Sequence, residues 1–189
     1  PYLHDGMTLQ LGIGGMPNAL GELIAESDLK DLGMHAEIMS DGYLKLYQSG
    51  KITNKKKPLQ RGKGVFSVCL GSKELYEFLH YNQGILSAPM YYVNAAETIR
   101  QLDDFISINS CIAVDLYGQV CAESVGTRQI SGTGGQLDFL ESAADAEISL
   151  CFDVRDQLTR MTVLVRKREI RILRNVSPER QNIADLLLF

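Results

Sequence analysis

Three segments that could do chemistry stand in order along the chain: Gly12-Ile13-Gly14-Gly15, then His35-Ala36-Glu37-Ile38-Met39-Ser40-Asp41-Gly42, then Gly132-Thr133-Gly134-Gly135-Gln136-Leu137-Asp138-Phe139. One carboxylate, Glu37, sits between two glycine-rich turns. Such a group is ionised at neutral pH but is a poor nucleophile in water. Held against an acyl-thioester in a site shielded from water, it gains from proximity and from the loss of its hydration shell. Attack would give an acyl-glutamyl anhydride. The released thiolate could then attack the glutamyl carbonyl and leave a thioester on Glu37. This chemistry needs oxyanion donors, and glycine turns offer backbone N–H groups with no Cβ in the way. The plain alternatives are a surface glutamate ending a strand, a tight turn at Gly12–Gly15 and a flexible loop at Gly132–Gly135.

The elements that must position these residues follow from periodicity. Met7–Gly12 reads as a strand whose glycine turn feeds a helix, with Pro17 in the first helical turn and an apolar stripe at Leu20, Leu23 and Ile24. Gly33 is the expected helix stop, and Met34–Ile38 is the next strand. Strand, glycine turn, helix and strand make a βαβ unit, which implies a parallel sheet. The turn then lies at the carboxyl edge of the sheet and the amino end of a helix, where anionic ligands bind. A dinucleotide fingerprint fails there, because Pro17 stands where its last glycine belongs.

Further along, Gly64–Leu70 is a buried strand, Ser72–His80 a helix and Met90–Val93 a strand. Asn94-x-x-Glu97 resembles a capping box. Phe105–Ile108 and Ile112–Asp115 are strand-like, and Leu116–Gln119 turns into Val120–Glu123. Lys51–Lys63, with Lys55-Lys56-Lys57-Pro58, reads as a solvated surface connection. The expected fold is α/β, an open twisted and mostly parallel sheet flanked by helices.

Composition bounds the function. The 189 residues are 45% hydrophobic and 22% charged, enough for a sizeable core. The net charge of −4 gives no electrostatic case for nucleic acid or an anionic membrane. No apolar run approaches the roughly 20 residues that span a bilayer, and no signal segment opens the chain, so a cytoplasmic location is expected. Cys69, Cys111, Cys121 and Cys151 lack metal or redox spacing, and Cys69 and Cys111 read as buried small hydrophobes. His4, His35 and His80 are too scattered to suggest a metal site. Both ends look incomplete. Residues 1–139 carry 3 Arg and 8 Lys, whereas residues 140–189 carry 7 Arg and 1 Lys.

The run from Asp5 to Phe139 resembles the acetyl-CoA hydrolase/transferase family, in particular the butyryl-CoA:acetate and 4-hydroxybutyrate CoA-transferases. The resemblance rests on G-I-G-G-M-P-N-A-L, H-A-E-I-M-S-D-G and E-S-V-G-T-R-Q-I-S-G-T-G-G-Q-L-D-F, with I-T-N-K-K-K (Ile52–Lys57) and S-I-N-S-C-I (Ser107–Ile112) in support. Ala36 departs from a position that is often Thr.

The resemblance implies the NagB/RpiA-like sheet of the CoA-transferases. It also implies that residues 1–139 are most of the second of two similar domains, with the first absent. The nucleophile would be Glu37. Coenzyme A contacts would fall on Gly12, Ile13, Gly14, Gly15, Met16, Ile112 and Gly135. Coenzyme A would be substrate and covalent intermediate, with no permanently bound cofactor. The implied activity moves CoA between butyryl-CoA and acetate by ping-pong transfer in fermentative butyrate metabolism. A 4-hydroxybutyrate transferase, an acetyl-CoA hydrolase and an inactive CoA-binding or oligomerisation module are the alternatives. At full length a homo-oligomer is expected, and the chain alone should be nearly inactive. Residues 140–189 lack the family pattern and are expected to be an atypical tail, out of frame or divergent.

Overall fold

The computed structural model describes residues 2–114, 119–145, 148–153, 161–166 and 169–174. In chain order the elements are β1 Thr8–Leu11, α1 Gly15–Glu26, β2 Gly33–Met39, α2 Asp41–Gln48, β3 Gly64–Cys69, α3 Lys73–Leu79, β4 Ile85–Ser87, α4 Met90–Val93, α5 Ala96–Ile99 and β5 Phe105–Cys111. Short strands follow, β6 Ala113–Val114, β7 Val120–Cys121, β8 Ser124–Val125 and β9 Arg128–Gln129. The chain continues with α6 Gln136–Asp145, β10 Ile148–Asp153, β11 Met161–Arg166 and β12 Glu169–Arg174.

One sheet has the order β12-β11-β10-β5-β1-β2-β3-β4. From β10 to β4 the neighbours are parallel, and β11 and β12 add an antiparallel edge. The open, mostly parallel α/β sheet is the one its sequence implies. The chain steps outward from β1 through β4, then returns to place β5 on the other side of β1. That reversal puts a switch point beside β1, where the crevice of such sheets opens.

Two apolar layers cover the sheet. On one face Leu9, Leu11, Met34, Ala36, Ile106 and Ile108 pack with Met16, Leu20 and Ile24 of α1 and Tyr43, Leu44 and Leu46 of α2. Leu20 and Ile24 lie one helical turn apart and are almost fully buried, each contributing about 1.5–3 kcal/mol. On the other face Val65 and Phe105 meet Val93, Ile99 and Leu102, with Phe139 and Ala143 of α6. Among the described residues no helix is long and apolar enough to cross a membrane.

Four local expectations change. First, α1 ends at Ser27, whose Oγ donates to the Ile24 carbonyl and accepts the Leu29 N–H. Gly33 instead opens β2, where a Cβ would lie 2.7 Å from Lys57 Cγ and 2.9 Å from Thr8 Oγ1. Close packing, not helix termination, explains that glycine. Second, Met90–Val93 is a helical turn and the strand is Ile85–Ser87. The Pro89 carbonyl accepts the N–H groups of Tyr92 (2.9 Å) and Val93 (3.1 Å) and so winds the backbone. Third, Asn94 does not cap α5. Its N–H closes α4 on Met90, while the Ala95 carbonyl starts α5. The 116–119 turn falls mostly outside the described residues, but its flanks pair as the β6–β7 hairpin.

The fourth change is the lysine-rich connection, which is not simply a solvated one. Asn54 and Lys57 are both 1% exposed. Asn54 Oδ1 accepts the Met34 N–H at 2.8 Å, and its amide donates to Tyr47 Oη. Lys57 Nζ donates to the carbonyls of Met34 and Lys63, both at 2.8 Å, tying the starts of β2 and β3 together. Burial pushes the Lys57 pKa down to about 7. A neutral amine has two N–H donors, and two carbonyls receive them.

The sign of the linkage follows. The folded pKa lies below the unfolded value, so the unfolded chain holds the proton more tightly. The cost is present in full below about pH 7 and is relieved as pH rises toward the unfolded pKa. Stability to urea should therefore gain roughly 2 kcal/mol from this group between pH 7 and pH 9. Lys57→Met should flatten that rise. An equal slope in the variant would assign the pH dependence elsewhere.

Candidate active site

Period-two alternation along β2 sends Met34 and Ala36 into the α1–α2 layer and His35 toward Phe105 and Phe139. Glu37 follows His35 on that face, half-buried near the carboxyl end of the strand. Its Oε2 accepts the Asn94 side-chain amide at 2.8 Å. The same Nδ2 donates to Asp138 Oδ2 at 3.2 Å, so its two N–H bonds serve two carboxylates. Turning the amide over would set its oxygen against both anions, so this orientation is electrostatically favoured.

The second glycine turn closes on the same group. A Cβ on Gly135 would overlap Glu37 Oε2 and Asn94 Nδ2 and lie 2.9 Å from Glu37 Cδ. Gly135 is the residue before α6, so the carboxylate sits at the amino end of that helix, where partial positive charge favours an anion. Beside Glu37, Met90, Tyr91, Asn94, Ala95 and Asp138 line an open depression of about 350 Å³.

The first glycine turn lies on the neighbouring strand. Gly12 N–H donates to the Ile108 carbonyl at 2.8 Å, fixing the turn to β5. Beneath it, Gln10, Ser107 and Asn109 form a buried polar cluster: Asn109 Nδ2 donates to Gln10 Oε1 (2.8 Å) and Ser107 Oγ (2.9 Å). Gly14 precedes α1 with φ 116°, a conformation that favours glycine, and the space around Gly14 and Gly15 is open. Ile13 is exposed, whereas the Met16 side chain lies in the core and leaves only its backbone for a ligand.

Ile112, just past β5, donates its N–H to Cys121 O at 2.7 Å and anchors the β6–β7 hairpin. All these positions lie at the carboxyl edge of the sheet. Tyr43 keeps a gap between two of them. Its hydroxyl accepts the Leu11 N–H at 2.6 Å and donates to the Leu9 carbonyl, so β1 is satisfied without β2 beyond the Leu9–Met34 pair.

The structure thus brings Glu37 and Gly135 into contact, and sets Gly12–Met16 and Ile112 on the adjoining strand ends. Sequence reasoning missed Asn94 and Asp138. Asn94 carried a misleading signal as a helix cap, and Asp138 was visible only as the third residue after Gly135. Among the described residues no cluster of His, Cys, Asp and Glu could hold a metal ion. Cys111 is buried and Cys69 half-buried. The Cys121 thiol is drawn below its ordinary pKa, chiefly by its hydrogen bond with Ser124.

Comparison with known proteins gives this geometry a context. The Acetyl-CoA hydrolase/transferase C-terminal domain profile matches residues 71–151. A probable butyrate:acetyl-CoA coenzyme A-transferase of Syntrophomonas wolfei is 57% identical over 141 residues, covering 75% of this chain and 32% of the relative. A 4-hydroxybutyrate coenzyme A transferase of Clostridium kluyveri is 48% identical with the same coverage of both chains. The crystal structure of RipA from Yersinia pestis superposes with a TM-score of 0.74 at 36% identity, over 79% of this chain and 34% of that one. The chain spans about a third of the length of the curated relatives it matches.

Proposed function

Because the chain belongs to the acetyl-CoA hydrolase/transferase family, we propose that it carries the nucleophile of a CoA-transferase, Glu37, which moves CoA from butyryl-CoA to acetate. In the first step a Glu37 carboxylate oxygen attacks the thioester carbonyl, and the C–S bond breaks to release CoA thiolate and leave an acyl-glutamyl anhydride. The thiolate then attacks Glu37 Cδ and butyrate leaves, forming the glutamyl-CoA thioester. Acetate reverses the sequence and departs as acetyl-CoA.

The observation that carries this reading is the hydrogen bond from Asn94 to Glu37 Oε2. When sulfur attacks Cδ, negative charge develops on Oε2, and a donor already aimed there strengthens at no reorganisation cost. A donor of this kind contributes about 2.7–4 kcal/mol to the barrier. The Gly12–Met16 turn, Ile112 and Gly135 are the proposed CoA contacts, with the open amino end of α1 facing the ligand's anionic groups.

Relatives about three times as long support a further element of the proposal, a second domain that completes the cleft in the intact enzyme. Incubation of that enzyme with butyryl-CoA, proteolysis and mass spectrometry should find a CoA adduct on the Glu37 peptide. Turnover without any adduct would overturn the covalent reading. 4-Hydroxybutyryl-CoA is the competing donor, and the ratio of kcat/KM for the two decides between them.

The change from lysine to arginine along the chain supports a separate origin for the tail. The proposed tail is residues 140–189, although helix α6 and the family match both run past Phe139. Amide exchange over 161–174 should then be faster than over β1 and β3. Equal protection would make those strands native parts of the domain.

A further inference from the structure

His35 is a buried titratable group that the proposed chemistry does not use. It is 1% exposed, and its Nε2 lies 2.8 Å from the Val93 carbonyl. A carbonyl only accepts, so Nε2 carries a proton. The ring stands edge-on to Phe105 and Phe139, each at 6.4 Å between centroids, and those two stack at 6.2 Å. Burial is the main reason its pKa falls to about 4, with the nearby Lys57 charge adding to it, so the imidazole stays neutral.

Two of these contacts, Val93 and Phe139, are chain neighbours of site residues. Val93 precedes Asn94, Phe139 follows Asp138, and His35 itself lies two residues before Glu37 on the same strand face. The Val93 carbonyl closes a four-residue helix, where no further turn exists to bond it. The imidazole N–H satisfies that carbonyl.

We propose that His35 is a positioning residue: its ring N–H, held on the Val93 carbonyl between two phenylalanine rings, fixes where Asn94 stands and so how Glu37 is presented. This inference rests on the covalent role given to Glu37. His35→Phe keeps an aromatic ring and removes the donor, and His35→Gln supplies an amide N–H in its place. Displacing a reacting group by about 1 Å costs roughly a hundredfold. In the intact enzyme His35→Phe should therefore lower kcat about a hundredfold, with KM for the CoA substrate within about twofold. His35→Gln should recover about a tenfold part of that.

Amide exchange over 90–95 should quicken in His35→Phe and return toward normal in His35→Gln. Equal impairment of the two variants, or a folded His35→Phe with unchanged kcat, would reduce His35 to packing. Should His35→Phe fail to fold, nitrogen NMR of the unaltered protein still decides. A ring protonated at Nε2 alone from pH 8 to pH 5 supports the inference, and one that titrates near 6.5 overturns it. A missing CoA adduct in the unaltered protein counts against the covalent reading only, because exchange and tautomer are read without substrate.

Discussion

Glu37→Gln should abolish CoA transfer and leave no CoA adduct, while Glu37→Asp should retain about a hundredth of the activity. Gln has nearly the shape of Glu, but its side-chain amide is not a carboxylate and cannot form the anhydride. Asp keeps the charge and withdraws it by one methylene, a displacement of about 1 Å or more that typically costs a hundredfold. It also pulls the carboxylate away from Asn94, which Oε2 now meets at 2.8 Å. Neither change should unfold the protein, because Glu37 is half-buried at a strand end and packs in neither apolar layer. The measurement is kcat with butyryl-CoA and acetate, beside mass spectrometry of the Glu37 peptide. Normal turnover in Glu37→Gln would end the covalent mechanism.

The fold was legible where local pattern and tertiary packing agree. Leu20 and Ile24 announce α1, and both are buried. Met7–Gly12 and Met34–Ile38 announce strands on either side of a glycine turn and helix, and the sheet follows. Reading failed where a distant partner decides the outcome. Lys57 belongs by type to a solvated loop, yet the carbonyls of Met34 and Lys63 draw its amine inside. Asn94 has the spacing of a helix cap, but its side chain is spent on Glu37 and Asp138, 57 and 44 residues away. No local pattern encodes such separations. Glu37 itself stood out only through its ordered glycine turns and the family resemblance. Its closest geometric partner, Gly135, was named from the same resemblance, not from spacing.

That partner gives the sharpest steric test of the site. Gly135→Ala should lower kcat by a factor of about 10²–10³, while Gly134→Ala, one residue earlier, should leave it within about twofold. A methyl group at position 135 would occupy the place of Glu37 Oε2 and Asn94 Nδ2, whereas one at position 134 meets nothing within 4 Å. The first variant must swing the carboxylate out or push α6 away, and either movement breaks the donor contact that the proposed mechanism uses to hold its developing charge. The same turn carries both substitutions, so a general loss of loop flexibility would affect them alike. Only the contact with Glu37 distinguishes them. Thermal unfolding of each variant separates a folding defect from a catalytic one, since a stable but slow Gly135→Ala protein locates the damage at the carboxylate. If both variants turned over normally, the Glu37–Asn94–Gly135 constellation would not be the arrangement in which the chemistry occurs.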